Sequence, residues 1–413
     1  MIKAIILIAY FISLYLVIFW LLTLYEKGIR LAPRKLKKFP FVTICVPAYN
    51  EESNIKETIQ SVIDLDYPRE KIEIIVVNDG SKDNTKKVVE KLIKENKNRN
   101  ITLINQKNQG KGVAMNNALR RAKGEFFVPL DADSIVKKEA LQVLLPHFYK
   151  KNIAAVLPVI EVQHKSTLVR QIQHCEYLIN FYYKRVMSRL NCVHVTPGPF
   201  SVYRKDVLVG LGGFDEKNLV EDLEIAIRIQ KANFEIIQTL ETSILTKAPG
   251  TFLEFYKQRN RWYKGSLINI FKYRRLIFNR SYGDFGVLQM PMVFISAFIS
   301  VTLFLIVVFW KLLKPLIDKI YDLSHINFDF IPLFTKGVKD YTILNLNFTP
   351  MFYGLVILFL GLIFLVLAHH KAGERVRHNK KPIFFYIILY PFMIGVIWIG
   401  VIFDLIRGKI QRW

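Results

Sequence analysis

Four long apolar stretches constrain the fold of this 413-residue chain more than any other feature of its sequence. They cover residues 5–24, 287–310, 352–368 and 383–405. Each is close to the roughly 20 apolar residues that a helix needs to cross a bilayer, and none has the polar face of a helix that packs on a soluble core. The first stretch ends in Tyr25-Glu26-Lys27 instead of a small-residue cleavage site, which favours a retained anchor over a signal peptide. The sequence therefore predicts a membrane protein with four spanning helices.

The basic residues beside these stretches indicate their orientation. Segment 27–38 carries six Lys and Arg residues and no acid, and 371–381 carries five against one acid, whereas 311–349 is nearly balanced. Basic loops remain cytoplasmic, which predicts a multi-pass protein of the cell (plasma) membrane. Its expected parts are an N-terminal helix within 1–26, a cytoplasmic domain over 27–284 and a membrane region over 285–413. Four passes would leave Arg407, Lys409 and Arg412 on the outer side, against the same rule.

The formal net charge of +24 indicates an anionic partner. Much of this charge flanks the apolar stretches, where a basic residue gains roughly 1 kcal/mol from anionic lipid, and the sequence has no nucleic-acid-binding motif. Membrane lipid is therefore the predicted partner, and no nucleic acid is expected. The cysteines (Cys45, Cys175 and Cys192) lack the spacing of a zinc site or a disulfide framework, and Cys45 is expected to pack as a small apolar residue.

Short apolar strands alternate with helices in the predicted cytoplasmic domain. The strands are expected over 42–46, 72–77, 101–105 and 126–130, and the helices over 53–65, 83–95 and 112–122. This alternation is typical of an α/β domain with a mostly parallel sheet. Polar side chains follow three of the strand ends: Tyr49 and Glu51, then Asp79, then Asp131 and Asp133. Because open α/β sheets bind ligands at the carboxyl ends of their strands, the sequence predicts a ligand crevice there.

Asp131 and Asp133 are hard oxygen ligands of the kind that Mg²⁺ or Mn²⁺ prefers. An isolated Asp-x-Asp is more often a solvated turn, so the metal hypothesis depends on the crevice around it. Two familiar nucleotide-binding folds are excluded. The first strand is not followed by Gly-x-Gly-x-x-Gly, and the segment around Gly110-Lys111 lacks the first glycine of a P-loop.

Seven segments of the chain resemble motifs of glycosyltransferase family 2. They are 47–51, 78–81, 109–112, 131–133, 196–204, 220–223 and 258–262. Their order and spacing agree over roughly residues 42–265, and the last three are similar to motifs of the membrane-bound processive members. These are poly-β-1,6-N-acetylglucosamine synthases first, then hyaluronan, chitin and cellulose synthases. Val220 stands where their Thr-Glu-Asp motif has threonine. The resemblance implies a glycosyltransferase type A fold, with a Rossmann-like, mixed and mostly parallel sheet, and a Mg²⁺ or Mn²⁺ cofactor.

The resemblance also implies roles for individual residues. Asp222 is the expected catalytic base, and Asp133 is the expected main metal ligand. The expected donor contacts are Tyr49, Glu51, Asp79, Lys111, Asp131 and Arg261. The expected acceptor contacts are Gly198, Glu221, Gln258 and Trp262. Tyr49 offers a ring for base stacking and Asp79 can accept the imide N–H of uracil, which favours a UDP-sugar.

Simpler interpretations of the same residues stay open at this point. Asp222 fits a helix-start acid, and Lys111 fits a solvated lysine. Arg261 fits a membrane-proximal cation, and Trp262 fits an interfacial aromatic anchor. Segments 161–195 and 251–284 combine aromatic and basic residues and are expected to be helices at the membrane surface.

The expected function is inverting, metal-dependent transfer of a sugar from a UDP-sugar, with UDP-N-acetylglucosamine as the best guess, to a growing polysaccharide. The alternative is transfer of one sugar to a lipid acceptor such as a polyprenyl phosphate or a glycolipid. A non-catalytic membrane scaffold is a third hypothesis. Because only four spans are visible, an accessory membrane subunit is left open as a partner.

Overall fold

The computed structural model describes residues 2–25, 36, 38–325, 348–374, 376 and 379–408. These residues divide into two compact units, Met1–Tyr25 with Val293–Val366, and Glu26–Met292 with Leu367–Trp413. Most of the basic segment 27–38, residues 326–347 of the loop predicted to be outside, and Lys409 and Arg412 lie outside the described residues.

The larger unit is built on an eight-stranded sheet. Its strands are β1 (Val42–Ala48), β2 (Ile72–Asp79), β3 (Asn100–Gln106), β4 (Phe126–Pro129), β5 (Ser134–Val136), β6 (Ile153–Val162), β7 (Val202–Arg204) and β8 (Glu235–Thr246), in the order β3-β2-β1-β4-β7-β6-β8-β5. The first four strands are mutually parallel and β6 is parallel to β8, whereas β7 and β5 are antiparallel to their neighbours. The predicted α/β class with a mixed, mostly parallel sheet is confirmed.

Helices cover both faces of this sheet. They are α2 (Ile55–Ile63), α3 (Thr85–Glu95), α4 (Lys111–Arg121), α5 (Ala140–Leu144), α6 (Leu168–Arg189), α7 (Lys205–Gly210), α8 (Glu221–Lys231) and α9 (Phe252–Lys272). All eight residues of β2 are buried, and its side chains alternate between two apolar clusters. A strand buried on both faces is mostly apolar, and β2 has apolar residues at 72 and 74–77, which is why the sequence predicted it as a buried strand.

Helices α6 and α9 lie within the two segments expected to be helices at the membrane surface, and each is shorter than its segment. Their position at the membrane surface stays a prediction. Thr167 caps α6, and Thr251 forms a capping box with Glu254 at the start of α9. Helix α9 ends at Lys272, and short 3₁₀ turns continue to Tyr282.

All four apolar stretches are helical, as α1 (Ile2–Tyr25), α10 (Met290–Val307), α12 (Phe348–Lys371) and α13 (Lys380–Ile406), with α11 (Lys314–His325) after α10. Among the described residues, two helices are long and apolar enough to cross a membrane, Met351–Lys371 and Lys380–Ile406. Leu7–Thr23 and Phe285–Ser296 are shorter apolar helices. The four-span topology stays a prediction.

Helix α13 packs on α6 and α9 within the larger unit. Near its C-terminal end, Trp398 stacks on Tyr263 with ring centroids 4.8 Å apart, and Asp404 accepts from Lys264 Nζ at 3.0 Å. Just before its N-terminal end, Glu374 lies 2.7 Å from His174 of α6. Both ends of α13 therefore contact the domain that the sequence predicts to be cytoplasmic, and the side of the membrane on which its C-terminal end lies stays a prediction.

Candidate active site

Lys111 lies at the centre of the predicted crevice. Its Nζ is 2.5 Å from Asp131 Oδ1 and 3.3 Å from Glu221 Oε1, so that it joins the end of β4 to the start of α8. Burial disfavours the charged form, but the two carboxylates outweigh burial and raise the pKa of Lys111 above its usual range. Lys111 is therefore a charged bridge inside the site and not a solvated lysine.

Asp133 lies in an anionic patch with Asp131 and Glu51. Burial, and then the charges of these two carboxylates, raise the pKa of Asp133 to about 6. Its Oδ1 accepts one hydrogen bond, from Ser134 Oγ at 3.2 Å. Carboxylates that repel one another and have free lone pairs fit a divalent cation. In the part of the chain that the structure describes, no group of three or more His, Cys, Asp or Glu side chains forms a metal site. Mg²⁺ is commonly held by one or two carboxylates together with substrate oxygens, and Asp133 with Asp131 are the residues that could hold such an ion.

Asp79 holds the turn that precedes Lys111. Its Oδ1 accepts from Gln109 N at 2.9 Å and from Gln106 Nε2 at 2.8 Å, and its Oδ2 accepts from Gly110 N at 2.9 Å. Gly110 has a φ of +95°, which favours glycine, and it is the N-cap residue of α4. Asp79 is therefore buried and fixes the backbone of this turn. Its carboxylate oxygens still have lone pairs that a ligand could use. Tyr49, predicted to stack on the base, is 43% exposed.

Asp222 is enclosed by segments that are distant in sequence. Its backbone carbonyl accepts from Thr196 Oγ1 at 2.8 Å, and Arg261 of α9 donates to Leu219 O at 2.9 Å. Burial, followed by the charge of Glu221, raises the pKa of Asp222 to about 6, although Lys111 and Arg261 oppose this shift. A carboxyl that titrates this close to neutrality is suited to accept a proton.

Gly198 lies against the Lys111–Asp131 pair. A Cβ at this position would be 2.8 Å from Lys111 Nζ and 3.4 Å from both Asp131 carboxylate oxygens. Any larger residue would therefore push on the ion pair, which explains the glycine in this turn. Of the predicted donor and acceptor residues, Lys111, Asp131, Glu221 and Gly198 are in direct contact here.

Arg259, which lies inside the 258–262 motif, is a site residue that the sequence analysis missed. It is completely buried. Its Nη2 donates to Glu176 Oε2 at 2.6 Å and its Nη1 donates to Gln258 Oε1 at 2.6 Å, while its Cζ lies 4.1 Å from the centroid of the Trp262 ring. Arg259 thus holds both predicted acceptor residues of the motif in place. Glu176 lies four residues after Ile172, on the buried face of α6. An acid at such a position could have indicated a buried cationic partner such as Arg259.

Val220, which departs from the Thr-Glu-Asp motif, has a packing role. It is buried against α9, where a Cβ on Gly265 would lie 2.4 Å from Val220 Cγ2. The bare backbone of Gly265 thus accommodates the branched side chain. The departure leaves Glu221 and Asp222 at the start of α8.

The chain is similar in sequence to known glycosyltransferases. Residues 43–212 match the family model described as "Glycosyl transferase family 2". The chain is 32% identical over 227 residues to poly-beta-1,6-N-acetyl-D-glucosamine synthase of Staphylococcus aureus and 30% identical over 227 residues to that of Staphylococcus epidermidis. Each match covers 54% of this chain and 54% of the relative, so that the chain spans about half the length of these curated relatives.

A solved structure resembles nearly the whole chain. It is the mannosyltransferase PcManGT from Pyrobaculum calidifontis, in complex with GDP-Man and Mn²⁺. The match covers 90% of this chain and 99% of that chain at 21% identity, with a TM-score of 0.61, and this likeness shows the fold alone. The expected glycosyltransferase type A fold is confirmed. The chain carries, over residues 43–212, the domain of a family 2 glycosyltransferase.

Proposed function

We propose that this protein is an inverting, metal-dependent membrane glycosyltransferase that transfers a sugar from a UDP-sugar to a growing polysaccharide. UDP-N-acetylglucosamine is the donor we favour, because the matched relatives are named for a polymer of N-acetylglucosamine. The observation that carries the proposal is the meeting of Asp131 and Glu221 at Lys111, with Asp133 and Asp222 next to them. The two apolar helices α12 and α13 support a membrane location.

In this proposal Asp222 accepts the proton of the acceptor hydroxyl as that oxygen attacks the anomeric carbon. A single displacement without a protein nucleophile inverts the configuration at that carbon. Arg261 adds positive charge for the leaving diphosphate, and Gln258 and Trp262 face the acceptor. When bound by Asp133 with Asp131, a divalent ion supplies Lewis-acid stabilisation of the diphosphate.

A second candidate is transfer of one sugar to a lipid acceptor such as a polyprenyl phosphate or a glycolipid. It is favoured by Lys184 of α6, which lies near Asp222 with its Nζ 4.9 Å from the centroid of the Phe181 ring. Burial lowers the pKa of Lys184 to about 8, although the charge of Asp222 opposes this shift. A half-buried ammonium within electrostatic range of the proposed base suits a phosphate-bearing acceptor. Product length in membranes supplied with a labelled UDP-sugar separates the two candidates.

Nucleotide release should depend on both the UDP-sugar and the metal. We expect UDP release from UDP-N-acetylglucosamine in Mn²⁺ or Mg²⁺ to fall about a hundredfold in a chelator, since Lewis-acid stabilisation is worth several kcal/mol. The measurement is a screen of nucleotide sugars with each metal, with Asp133→Asn as the matched variant. Release that is indifferent to the chelator, or a preference for a guanosine donor, would contradict the proposal.

The rate should fall below about pH 6, the value to which the pKa of Asp222 is raised. A base acts only when it is deprotonated, so kcat is expected to drop about tenfold for each pH unit below that value. The charged groups around this carboxyl are Glu221, Lys111, Arg261 and Lys184. The measurement is kcat against pH at saturating donor, acceptor and metal.

The pKa values of Asp133 and Asp222 are both raised to about 6, and varying the metal concentration shows which of the two carboxyls limits the rate. Protons compete with the cation at Asp133. If Asp133 causes the fall in kcat at low pH, that fall therefore moves to lower pH as the Mn²⁺ concentration is increased. A fall due to Asp222 stays in place. If kcat at saturating metal falls only near pH 3.8, the ordinary pKa of an aspartate, Asp222 is not the titrating base.

A further inference from the structure

A cavity of about 500 Å³ lies between α6 and the beginning of α13. Three lysines line it: Lys165, which precedes α6, and Lys380 and Lys381, the first two residues of α13. Gln171 and His174 line it from α6, and none of its described lining residues is acidic. We call this space the basic cavity. It shares no residue with the candidate active site.

Glu374, just before α13, is the carboxylate that contacts the residues of the basic cavity. Its Oε1 lies 3.0 Å from Lys165 Nζ and 2.7 Å from His174 Nε2, and its Oε2 accepts from Asn379 Nδ2 at 2.7 Å. Burial alone would raise the pKa of Glu374, but His174 and Lys165 outweigh it and lower that pKa to about 2. Glu374 is therefore ionised and balances one of the three lysines.

Lys380 and Lys381 have no carboxylate partner of this kind. Both are exposed, and no described residue forms an ion pair with either of them. Three lysines against one carboxylate leave two unbalanced positive charges at the basic cavity. The beginning of α13 adds to them, because Asn379 gives its side chain to Glu374 and does not cap the backbone N–H groups of the helix.

The excess of positive charge restricts the occupant of the basic cavity to an anion. A positive potential concentrates anions and repels metal cations, and the lysine ammonium is a common ligand of phosphate. A volume of about 500 Å³ lies within the range of small-molecule sites. The cavity therefore has room for a phosphate together with the group to which that phosphate is esterified.

An exposed apolar face of α13 continues from the basic cavity. Phe384 is 57% exposed and Ile388 is 43% exposed. They follow Lys380 by four and eight residues, so they lie on the same face of the helix. Helix α13 is also one of the two described helices that are long and apolar enough to cross a membrane. A phosphate that carries hydrocarbon chains fits both the cavity and this face, whereas a soluble phosphate fits the cavity alone.

We propose that the basic cavity binds the phosphate of an anionic lipid head group, whose acyl chains lie along the exposed face of α13. The inference rests on the membrane location in the proposed function and adds a lipid that is neither donor nor acceptor. Such a lipid bridges α6 and α13, because its phosphate contacts lysines of both segments. On α6 the site lies close to the predicted acceptor motif, since His174 precedes Glu176, the buried partner of Arg259, by two residues.

The test is native mass spectrometry of the full chain in detergent, freed of lipid and titrated with phosphatidylglycerol or with phosphatidylcholine of the same acyl chains. We expect tighter binding of phosphatidylglycerol. Lys380→Gln with Lys381→Gln removes both unbalanced charges and should weaken phosphatidylglycerol binding about 25-fold, since each basic residue contributes a factor of about five beside anionic lipid. Lys150→Gln with Lys151→Gln, which removes the same charge from exposed positions before β6, is the matched control and should bind like wild type.

Gln171→Glu provides a second measurement, because it adds a negative charge to the cavity lining and leaves every lysine in place. It should weaken phosphatidylglycerol binding about fivefold. The site is overturned if both cavity variants bind phosphatidylglycerol like wild type, or if the control pair weakens it equally, since the attraction would then be a general surface effect.

Excess inorganic phosphate distinguishes the two sources of a phosphate group. We expect it to leave bound phosphatidylglycerol in place, and displacement of the lipid would overturn a lipid occupant in favour of a soluble one. Selective binding of phosphatidylglycerol by a protein that never consumes a nucleotide sugar would keep the site and overturn the proposed function. Sugar transfer by a protein that binds both lipids equally would do the reverse.

Discussion

Asp222→Asn is expected to abolish sugar transfer and to leave donor binding intact. The amide keeps the shape of the side chain and the hydrogen bond that Oδ1 accepts from Leu223 N at 2.8 Å. It cannot accept a proton, so transfer should fall about 10²- to 10⁴-fold, the usual contribution of a general base. The measurement is product formation beside calorimetric binding of UDP with Mn²⁺.

Asp206→Asn is the matched control for this substitution. Asp206 also lies in the first turn of a helix and its Oδ1 accepts from the next backbone N–H at 2.8 Å, but it is exposed on α7. If Asp222 is only a helix-start acid, the two variants should behave alike. Equal activity in both would therefore remove the proposed base, whereas loss in Asp222→Asn alone supports it.

Arg259→Met is expected to destabilise the protein by about 3–5 kcal/mol, because it leaves Glu176 buried without its partner. Glu176 is 5% exposed and receives the Arg259 guanidinium at 2.6 Å. The free energy of unfolding of the full chain, from a denaturant titration in detergent, measures the effect. Any activity that remains should show a higher KM for acceptor, since Gln258 and Trp262 lose their support.

Two further variants show whether the ion pair itself is responsible. Arg259→Met combined with Glu176→Leu removes both charges and should recover most of the lost stability. Lys257→Met removes an exposed cation from the same helix and should stay within about 0.5 kcal/mol of wild type. A loss in the double variant as large as in the single variant would show that packing around Arg259, not the charge of Glu176, limits stability.

The parallel half of the sheet could be predicted from the sequence because its signals are local. Strands β1 to β4 begin within one residue of their predicted positions, since each is a short segment rich in apolar and β-branched residues. Strand β6 was not predicted, because Pro158 interrupts it and argues against a strand. Strand β7 has three residues and pairs with β4 and β6 from a distant part of the chain, which no local pattern encodes.

The candidate site shows the same division. Acids at strand ends indicated the crevice, because strand direction alone brings them to one edge. The bridge from Lys111 to Asp131 and Glu221 could not be predicted, since it depends on where α8 returns to the sheet. The buried position of Arg259 could not be predicted for a related reason. An arginine among other basic residues resembles a surface cation until its buried partner on another helix is known.

The attachment of α13 at both ends has a practical consequence for anyone preparing this enzyme. Cutting the chain after residue 284 to obtain a water-soluble catalytic fragment would strip Asp404 from Lys264, which is 1% exposed, and Trp398 from the Tyr263 ring. The fragment would present a bare ammonium and a fresh apolar groove to solvent. Helix α13 therefore belongs structurally to the catalytic domain, and a purified fragment should retain it.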